Sequence, residues 1–364
     1  SQYVVPEGMS YNSYVILDEK TAVMDTVDAR KTDEWINNVK ATLGNKSLDY
    51  IVCLHMEPDH AGSMMKAMET FPTAKVVGNA KTFTYMAQFF DVNLEGRKVE
   101  VKDGESLSLG EHNLTFVCAP MVHWPEVMVA YESSEKVLFA ADAFGKFGAI
   151  SKYDGDWACE ARRYYFNICG KYGVQVQSLL KKAAALDIKT IAPLHGPVLK
   201  ENLGYYIDLY NTWSSYGVES EGVLVAFASI HGNTRKAAEK IASILEEQGA
   251  KKVVVSDLSR DDEAEVIEDA FRYGRMIIAA PTYDGGLFPP MESFLSHLKS
   301  KNYQKRTVGI IENGTWAPMS GKFMKAALEA MKDIKICETV VTIKSALKEN
   351  QEDSLVALAK EVLA

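Results

Sequence analysis

The chain has 364 residues, of which 47% are hydrophobic and 24% charged, and this size and composition suit two or three globular domains with sizeable cores. Its formal net charge of -9 argues against nucleic acid or an anionic membrane as a partner. No apolar stretch approaches the roughly 20 residues of a membrane-spanning helix, and the amino terminus has no signal-peptide pattern, so we expect a cytoplasmic location.

The cysteines and histidines indicate which kinds of metal site the chain can form. The cysteines are odd in number, widely scattered and without a Cys-x-x-Cys pair: Cys53, Cys118, Cys159, Cys169 and Cys337. We therefore expect no disulfide-stapled secreted fold, no four-cysteine zinc or iron knuckle and no appended rubredoxin module. Only seven histidines are present, and four of them lie at the ends of apolar segments: His55, His60, His123 and His195. Scarce histidines placed in this way are typical of metal ligands.

The chain begins with a predicted hairpin, from residues 14–17 and 22–25 around the turn Asp18–Thr21. A helical stripe of apolar residues follows over 33–43 and ends at Gly44. The next apolar run, 50–54, is predicted to be a buried strand.

The loop after this strand is rich in metal-capable side chains. His55, Glu57 and Asp59 share a parity, so they point into one cavity if the backbone stays extended, and His60 follows them. Pro58 is expected to prevent a helix here. The alternative is an acidic turn with two solvated histidines, which we disfavour because such a dense set after a buried strand needs a cation to neutralise it.

Three further strands end in metal-capable residues. After a methionine-rich helix, a strand at 75–77 and a helix at 81–90, the pattern predicts strands at 99–101, 114–117, 127–131 and 137–139. The methionines, Met64, Met65 and Met68, are read as core residues rather than ligands. Two helices, at 157–170 and 174–186, precede a strand at 190–194. The residues at the strand ends are His123, Asp142 and His195, and their repetition at four strands is the argument for a metal centre.

The second half of the chain alternates strictly between strand and helix. We predict strands at 223–229, 252–256, 276–280, 307–312 and 338–343, each followed by a helix, at 234–248, 262–273, 290–300, 320–332 and 351–363. Five such units predict a doubly wound parallel sheet, which binds ligands outside the carboxyl ends of its strands. A helix at 201–216 closes the preceding domain, and 217–222 is the expected linker.

The loops at those strand ends predict a nucleotide site. The first combines small hydroxyl residues, a glycine and free amides at a helix start, which suits a monophosphate: Ser229, Ile230, His231, Gly232, Asn233 and Thr234. Two glycine-rich loops carry aromatic residues that can flank a planar ring: Pro281, Thr282, Tyr283, Asp284, Gly285 and Gly286, then Asn313, Gly314, Thr315, Trp316 and Ala317. The alternative is a doubly wound domain with ordinary turns.

Both halves resemble known families. His-x-Glu-x-Asp-His after a strand, then a histidine, a strand-ending aspartate and a Pro-Leu-His-Gly turn, has the ligand order of metallo-β-lactamase-like proteins, with Glu57 where their zinc hydrolases have a second histidine. This variant is similar to the flavodiiron proteins, and a carboxylate there suits iron. The second half resembles flavodoxin. The resemblance covers the whole chain and implies a metallo-β-lactamase-like αββα sandwich at 1–217 and a flavodoxin-like five-stranded parallel sheet at 222–364.

The resemblance also implies cofactors, ligands and function. His55, Glu57, His123 and Asp142 would bind one non-haem iron, with Asp142 bridging, while Asp59 and His195 would bind the other. The resemblance allows His60 either as a further ligand of the second iron or turned aside. FMN would occupy the second domain and feed electrons to a centre that reduces dioxygen to water or nitric oxide to nitrous oxide. A rubredoxin-type protein or a reduced deazaflavin would be the external donor, and the assembly would be a head-to-tail homodimer or a dimer of dimers.

Two other classes of protein are consistent with parts of this pattern. A zinc hydrolase fused to a flavodoxin-like domain would share most of the ligands, and Glu57 argues against it. A pure electron carrier with a structural first domain would leave four metal-capable strand ends without a purpose.

Overall fold

The computed structural model describes residues 3–152 and 155–364, which divide into two compact units. The first unit contains Val5–Tyr165 and Tyr172–Asn211. The second contains Tyr3 and Val4, Phe166–Lys171 and Thr212–Ala364. Within the described ranges, no helix combines the length and apolar character that crossing a bilayer requires.

The first sheet of the first unit holds the strand that precedes His55. Its five strands lie in the order β1-β2-β3-β4-β5, with β1 and β2 antiparallel and the others parallel. They are β1 (Tyr14–Ile16), β2 (Ala22–Met24), β3 (Tyr50–Val52), β4 (Lys75–Gly78) and β5 (Lys98–Glu100).

The second sheet of this unit holds the strands that precede the other predicted ligands. Its order is β10-β9-β8-β7-β6, antiparallel except for the parallel pair of β9 and β10. Its strands are β6 (Ser106–Ser108), β7 (Asn113–Cys118), β8 (Met128–Glu132), β9 (Val137–Phe139) and β10 (Thr190–Ala192).

Helices flank the two sheets: α1 (Thr32–Leu43), α2 (Pro58–Ala61), α3 (Met64–Thr70), α4 (Ala80–Phe89), α5 (Trp157–Ile168), α6 (Gly173–Ala183) and α7 (Leu203–Ser214). The predicted stripe of α1 is confirmed, because Trp35, Ile36, Val39 and Leu43 are all buried. They join α3, α4 and the first sheet in one hydrophobic core, in which Met64 and Met68 are also buried. The predicted sandwich fold is thus confirmed.

The second unit is a doubly wound sheet, as predicted. Its parallel strands lie in the order β12-β11-β13-β15-β16, and a two-residue strand, β14, pairs antiparallel with the end of β13. The strands are β11 (Ser220–Phe227), β12 (Val253–Asp257), β13 (Tyr273–Tyr283), β14 (Gly286–Leu287), β15 (Gln304–Asn313) and β16 (Lys332–Ile343). The helices are α8 (Asn233–Glu247), α9 (Glu263–Arg272), α10 (Pro289–Ser300), α11 (Ser320–Glu329) and α12 (Glu352–Leu363).

One local prediction is wrong. Pro58 does not prevent a helix: it occupies the first turn of α2, directly after Glu57, whose backbone is extended. A proline is tolerated there because the first-turn amide has no partner within the helix and the fixed φ of proline suits helical geometry. Asp59 and His60 therefore lie on a helical turn, and the extended parity that joined Asp59 to His55 and Glu57 does not apply.

The boundary between the two units is not a single point at the predicted linker, 217–222. Phe166–Lys171, which includes the end of α5, belongs to the second unit, and so does the chain from Thr212, within α7, onward. Two short strands, β6 and β14, had no predicted counterpart.

Candidate metal centre and nucleotide pocket

The predicted metal residues come together as two groups in the first unit. One group has ligand atoms from His55, Glu57, His123 and Asp142, and the other from Asp59, His60 and His195. In each group the offered atoms lie within 4.8 Å of one another. Such spacing and chemistry can hold a metal ion in each group.

Strand register explains how distant parts of the chain meet here. β9 and β10 pair in parallel with Phe139 opposite Ala192. Asp142 and His195 each follow three residues later, so they leave adjacent strands at the same height. His55 follows β3 in the other sheet.

Asp142 lies between the two groups and faces both. Its Oδ2 is 3.4 Å from Nε2 of His55 and 3.2 Å from Nε2 of His123. Its Oδ1 is 2.9 Å from Nε2 of His60 and 3.4 Å from Nε2 of His195. One oxygen per group is the arrangement expected of a carboxylate that bridges two cations.

Glu126 orients His55, and sequence reasoning missed it. Its Oε1 lies 2.8 Å from Nδ1 of His55 and also accepts a hydrogen bond of 2.8 Å from the backbone amide of Met56. Both side chains are fully buried. A carboxylate on Nδ1 fixes the tautomer that presents Nε2 to a metal. The only hint in the sequence is the position of Glu126 three residues after His123.

His195 is oriented in the same way by the amino-terminal segment. Its Nδ1 lies 2.8 Å from the backbone carbonyl of Ser10, which can only accept, so Nδ1 carries the proton and Nε2 faces the group. The side-chain amide of Asn12 donates to the carbonyls of Pro193 and Gly196, on either side of this histidine. No sequence pattern marked Ser10 or Asn12.

Asp25 holds the backbone just before His55. It has φ of 55° and its Oδ1 accepts from the amides of Leu54 and His55, at 2.8 and 3.2 Å. Burial raises the pKa of Asp25 to about 7, although these two amides oppose the rise.

The charged residues of the groups compensate one another. Burial favours the neutral form of Glu57, yet hydrogen bonds with His123 and His55 lower its pKa to about 2. Burial disfavours a charge on His55, but Glu126 and Glu57 raise its pKa well above the ordinary value. Burial is likewise outweighed at Asp142, whose pKa lies well below the ordinary value because His60 and His123 stabilise the carboxylate. The carboxylates of the groups thus favour positive charge beside them, which bound metal ions would supply.

Buried polar atoms without hydrogen bonds indicate that cations fit the two ligand groups. Oδ1 of Asp59, both ring nitrogens of His60 and both carboxylate oxygens of Asp142 are buried without a hydrogen bond from the described residues. Buried polar atoms normally have partners, and here nitrogen and carboxylate lone pairs converge on the same space. Two cations would satisfy both groups.

The exposures of the side chains show where the centre opens. His55 and His60 are 0% exposed, whereas Glu57 is 36% and Asp59 26% exposed. The buried imidazoles form the floor of the centre, and the two carboxylates mark its open side.

A separate cavity of about 520 Å³ lies at the carboxyl ends of the parallel strands in the second unit. Its walls come from the loops after β11, β13 and β15, as predicted, and from the loop after β16. Such a position outside the carboxyl ends is where doubly wound sheets bind ligands. Most of the predicted residues line it: Ser229, Ile230, His231, Asn233, Thr234, Pro281, Thr282, Tyr283, Asp284, Gly285, Asn313, Gly314, Thr315, Trp316 and Ala317.

Gly232 and Gly286 do not line this cavity. Gly232 has φ of 84° and precedes the first residue of α8, and its amide donates to Oγ of Ser229 at 3.0 Å. This left-handed position suits glycine and turns the chain into the helix start, so Gly232 shapes the anion cradle. Gly286 lies in β14, where it pairs with Tyr283.

Met319 and Ser345 line the cavity but were not predicted. The amide of Met319 donates to Oγ1 of Thr282 at 2.8 Å. Ser345 exchanges hydrogen bonds with Asn313, whose Nδ2 donates to the Ser345 carbonyl at 3.0 Å. Ser345 follows the fifth strand, whose loop carries neither a glycine nor an aromatic signal.

Two aromatic residues at the cavity are exposed. Trp316 is 92% exposed and Tyr283 is 43% exposed. Exposed aromatic faces beside a cavity suit a planar ring, because stacking would bury apolar area on both partners. The pocket therefore combines a phosphate cradle with two candidate stacking residues.

Comparison with known proteins assigns both halves. The family model described as ODP family beta lactamase matches residues 9–196, and the model described as Flavodoxin domain matches residues 224–345. A nitric oxide reductase from Moorella thermoacetica is 31% identical over 345 residues, covering 92% of this chain and 86% of that protein. The chain spans a smaller share, 66%, of one flavorubredoxin that it matches.

Solved structures agree over nearly the whole chain. Rubredoxin oxygen:oxidoreductase from Desulfovibrio gigas has a TM-score of 0.91 at 25% identity, covering 99% of this chain and 92% of that one. The flavodiiron protein from Giardia intestinalis has the same TM-score and identity, covering 99% and 91%. With both domain models and these relatives in agreement, the chain belongs to the flavodiiron protein family, whose cofactors are FMN and a non-haem di-iron centre.

Proposed function

We propose that this flavodiiron oxidoreductase reduces dioxygen to water or nitric oxide to nitrous oxide, with electrons that FMN passes to its di-iron centre. The observation that carries the proposal is the position of Asp142, whose two oxygens each face a different ligand group. A carboxylate shared by two ligand groups suits a site for two metal ions. Relatives whose names specify nitric oxide reductase and oxygen oxidoreductase activity support both substrates.

In this proposal the two groups divide the ligands. His55, Glu57 and His123 would hold the first iron, and Asp59, His60 and His195 would hold the second, with Asp142 shared between them. His60 is included because its buried Nε2 lies 2.9 Å from Oδ1 of Asp142 and 3.5 Å from Oδ1 of Asp59. Mixed imidazole and carboxylate ligands suit iron.

The side chains of the centre position the ions and leave one side open. When bound, the ferrous ions supply electrons to the gas. Glu126 and the Ser10 carbonyl hold His55 and His195 in the tautomers that present Nε2. The partly exposed Glu57 and Asp59 border the side from which a small diatomic gas can approach, while the buried histidines exclude water from the floor.

Zinc hydrolysis is the second candidate, because the beta-lactamase fold also serves that chemistry. Glu57 disfavours it: its carboxylate occupies the place of a neutral histidine and adds an anionic, oxygen-donor ligand to the first group. Metal analysis of the purified protein separates the two. Stoichiometric zinc with ester or lactam hydrolysis would contradict the reductase.

The cavity of the second unit is the proposed FMN site. The loop Ser229–Thr234 and the start of α8 would hold the terminal phosphate by backbone amides and hydroxyls, and Tyr283 and Trp316 would flank the ring. FMN fits this cradle better than FAD, since no Gly-x-Gly-x-x-Gly turn is present for a second nucleotide.

The external partners follow from the same proposal. A rubredoxin-type protein or a reduced deazaflavin would reduce the FMN, and a head-to-tail homodimer, alone or paired, would bring the FMN of one subunit to the irons of the other. We place this reaction in the cytoplasm. Rapid turnover with NADH alone, without an added reductase, would contradict the proposed donors.

Anaerobic single turnover tests the function directly. The iron- and FMN-loaded protein is fully reduced and mixed with dioxygen or with nitric oxide, and the oxidation of flavin and iron is followed together with the product. We expect at least one gas to oxidise both cofactors and yield water or nitrous oxide. Cofactors that stay reduced with both dioxygen and nitric oxide would overturn the proposal.

A further inference from the structure

A group of aromatic rings leads from the metal centre to the protein surface. Trp124 directly follows His123, and its ring centroid lies 5.3 Å from that of His55 and 6.3 Å from that of His123, edge-on to both. The ring centroids of Tyr85 and Phe89, both on α4, each lie 6.4 Å from that of Trp124. Phe89 is 45% exposed, and Tyr85 and Trp124 are half-buried.

Two of these rings, those of Trp124 and Tyr85, can be oxidised by one electron. Tryptophan and tyrosine are the aromatic side chains that can lose one electron to a strong oxidant, whereas phenylalanine cannot under the same conditions. Trp124 contacts two imidazoles whose Nε2 atoms face the proposed first iron. All five rings of this group lie in the first unit, so an electron can follow this route without the flavin.

We propose that Trp124 is a reserve electron donor to the di-iron centre and that Tyr85 replenishes it. This rests on the proposed function. Reduction of dioxygen to two waters takes four electrons and four protons, and two ferrous ions supply only two of the electrons. When the flavin is oxidised, Trp124 gives one electron through an imidazole and releases its indole proton.

Tyr85 completes the balance. It re-reduces Trp124 by losing one electron and its phenolic proton, and Trp124 can then give the fourth electron. The centre thus avoids being left with partly reduced oxygen, and the oxidising equivalents end on Trp124 and Tyr85 near the surface. Thiols in the surrounding solution, as one-electron reductants, restore both side chains.

The test looks for the radicals rather than for turnover. The full-length protein with iron and FMN is prepared with ferrous irons and oxidised flavin, mixed with excess dioxygen and frozen after set times. Electron paramagnetic resonance reports organic radicals, and Mössbauer spectra of the same samples report oxidation of the irons. We expect tryptophanyl and tyrosyl signals to rise as the irons become ferric.

Matched variants assign the signals. Trp124→Phe keeps an aromatic ring against His55 and should abolish both radicals. Tyr85→Phe should leave a tryptophanyl signal alone, because phenylalanine cannot re-reduce Trp124. Phe89→Leu, which alters the same helix without removing an oxidisable ring, should change neither signal.

The other possible outcomes distinguish a failure of this inference from a failure of the proposed function. Ferric irons without any radical in the unmodified protein, or a radical that persists in Trp124→Phe, would overturn the inference while leaving the proposed function intact. Irons that stay ferrous in dioxygen and in nitric oxide would overturn both. If Trp124→Phe loses iron, ring-deuterated tryptophan in the unmodified protein replaces it: an unchanged resonance pattern would count against Trp124.

Discussion

Asp142 is the residue on which both halves of the metal centre depend. Its carboxylate oxygens lie 2.9 to 3.4 Å from the Nε2 atoms of four histidines, two in each group. A side chain with this position cannot be replaced without changing both groups at once, in contrast to Glu57, which belongs to the first group alone.

We expect Asp142→Ala to lower the iron content to well below two per chain, because it removes the one carboxylate that faces both ligand groups. Glu57→Gln should weaken the first site and spare the second. Elemental analysis of the purified variants, with circular dichroism to verify folding, measures both effects. Two tightly held irons in Asp142→Ala would be incompatible with a bridge.

Glu126 tests whether orientation of a ligand matters separately from ligation. Glu126→Ala should weaken iron binding by about 10- to 100-fold, since His55 loses the carboxylate that fixes its tautomer. Glu126→Gln keeps an oxygen in place and should recover part of that loss. Competition with a chelator gives the affinities.

Glu132 offers a matched control for this experiment. It is also a buried glutamate, but it accepts hydrogen bonds from the backbone amides of Ser134 and Glu135 and belongs to neither ligand group. Glu132→Gln should destabilise the fold without a specific effect on iron. Equal losses of iron in Glu126→Gln and Glu132→Gln would show that Glu126 affects iron binding only through folding.

At the scale of elements, the start of α8 is the feature that sets flavin affinity. Thr234 is 2% exposed, lines the cavity and lies one residue into the helix that follows Gly232. Its hydroxyl lies 3.4 Å from Nδ2 of Asn313, which also lines the cavity, and the amides of a first helical turn are free to bind an anion.

We expect Thr234→Ala to weaken FMN binding by about 1–3 kcal/mol, the usual effect of losing a charge-assisted hydrogen bond. Ser243→Ala, an exposed change farther along the same helix, is the control and should leave the affinity unchanged. Flavin fluorescence titration measures both. A phosphate-free flavin that binds as tightly as FMN would contradict the cradle.

The turn between β1 and β2 is joined to the β6–β7 hairpin by an ion pair that depends on pH. Oδ2 of Asp18 lies 2.9 Å from Nδ1 of His112 and accepts from its backbone amide at 2.7 Å. The hydrogen bond with Asp18 raises the pKa of His112, although partial burial opposes it. The protonated form is therefore more stable in the folded chain.

Because the folded pKa is raised, this contribution is fully present below the ordinary histidine value of about 6.5 and is lost as the pH rises through the folded value. We expect the free energy of unfolding of the unmodified protein to fall relative to that of His112→Asn over this interval. Urea titrations of the metal-free protein at several pH values measure the difference. A constant difference would exclude the ion pair as its source.

Periodic elements were predictable from the sequence, and tertiary details were not. The strands and helices of the second unit are dominated by apolar periodicity, so their existence and order were predicted, with ends shifted by a few residues. β14 escaped because a two-residue strand has no periodicity. At Pro58 the sequence rule was correct for a helix interior but wrong for a helix start.

The predicted metal residues share a chemical signal, since histidine and carboxylate at strand ends stand out. The residues that orient them carry no such signal: Ser10 acts through its backbone carbonyl, and Glu126 resembles any other glutamate. In the same way Ser345 reaches the nucleotide cavity only because β16 pairs beside β15. Contacts made by register or by backbone atoms need the folded structure.

For the whole molecule, the division into a metal unit and a flavin unit raises the question of which FMN serves which irons. Two-fold pairs are the commonest assemblies of soluble proteins. We expect electrons to pass between subunits of a head-to-tail homodimer.

A mixed dimer tests this expectation. One chain carries His55→Ala with Asp142→Ala and holds no iron, and the other carries Gly232→Asp with Thr234→Asp and holds no flavin. Transfer across the interface leaves one working FMN–iron pair, whereas transfer within a chain leaves none, so we expect about half of the normal activity per dimer. The two variant homodimers are inactive controls, and an inactive but correctly loaded mixed dimer would exclude transfer between subunits.

The ties between Ser10, Asn12 and the His195 turn have a consequence for the order of assembly. The ligands extend from residue 55 to residue 195, and the last of them is held by the first segment of the unit. Closing so long a loop is entropically costly until β10 has paired with β9. A growing chain therefore has no finished centre until the residues through His195 have been made and β10 has paired with β9, and we expect iron to enter a folded unit rather than to nucleate its folding.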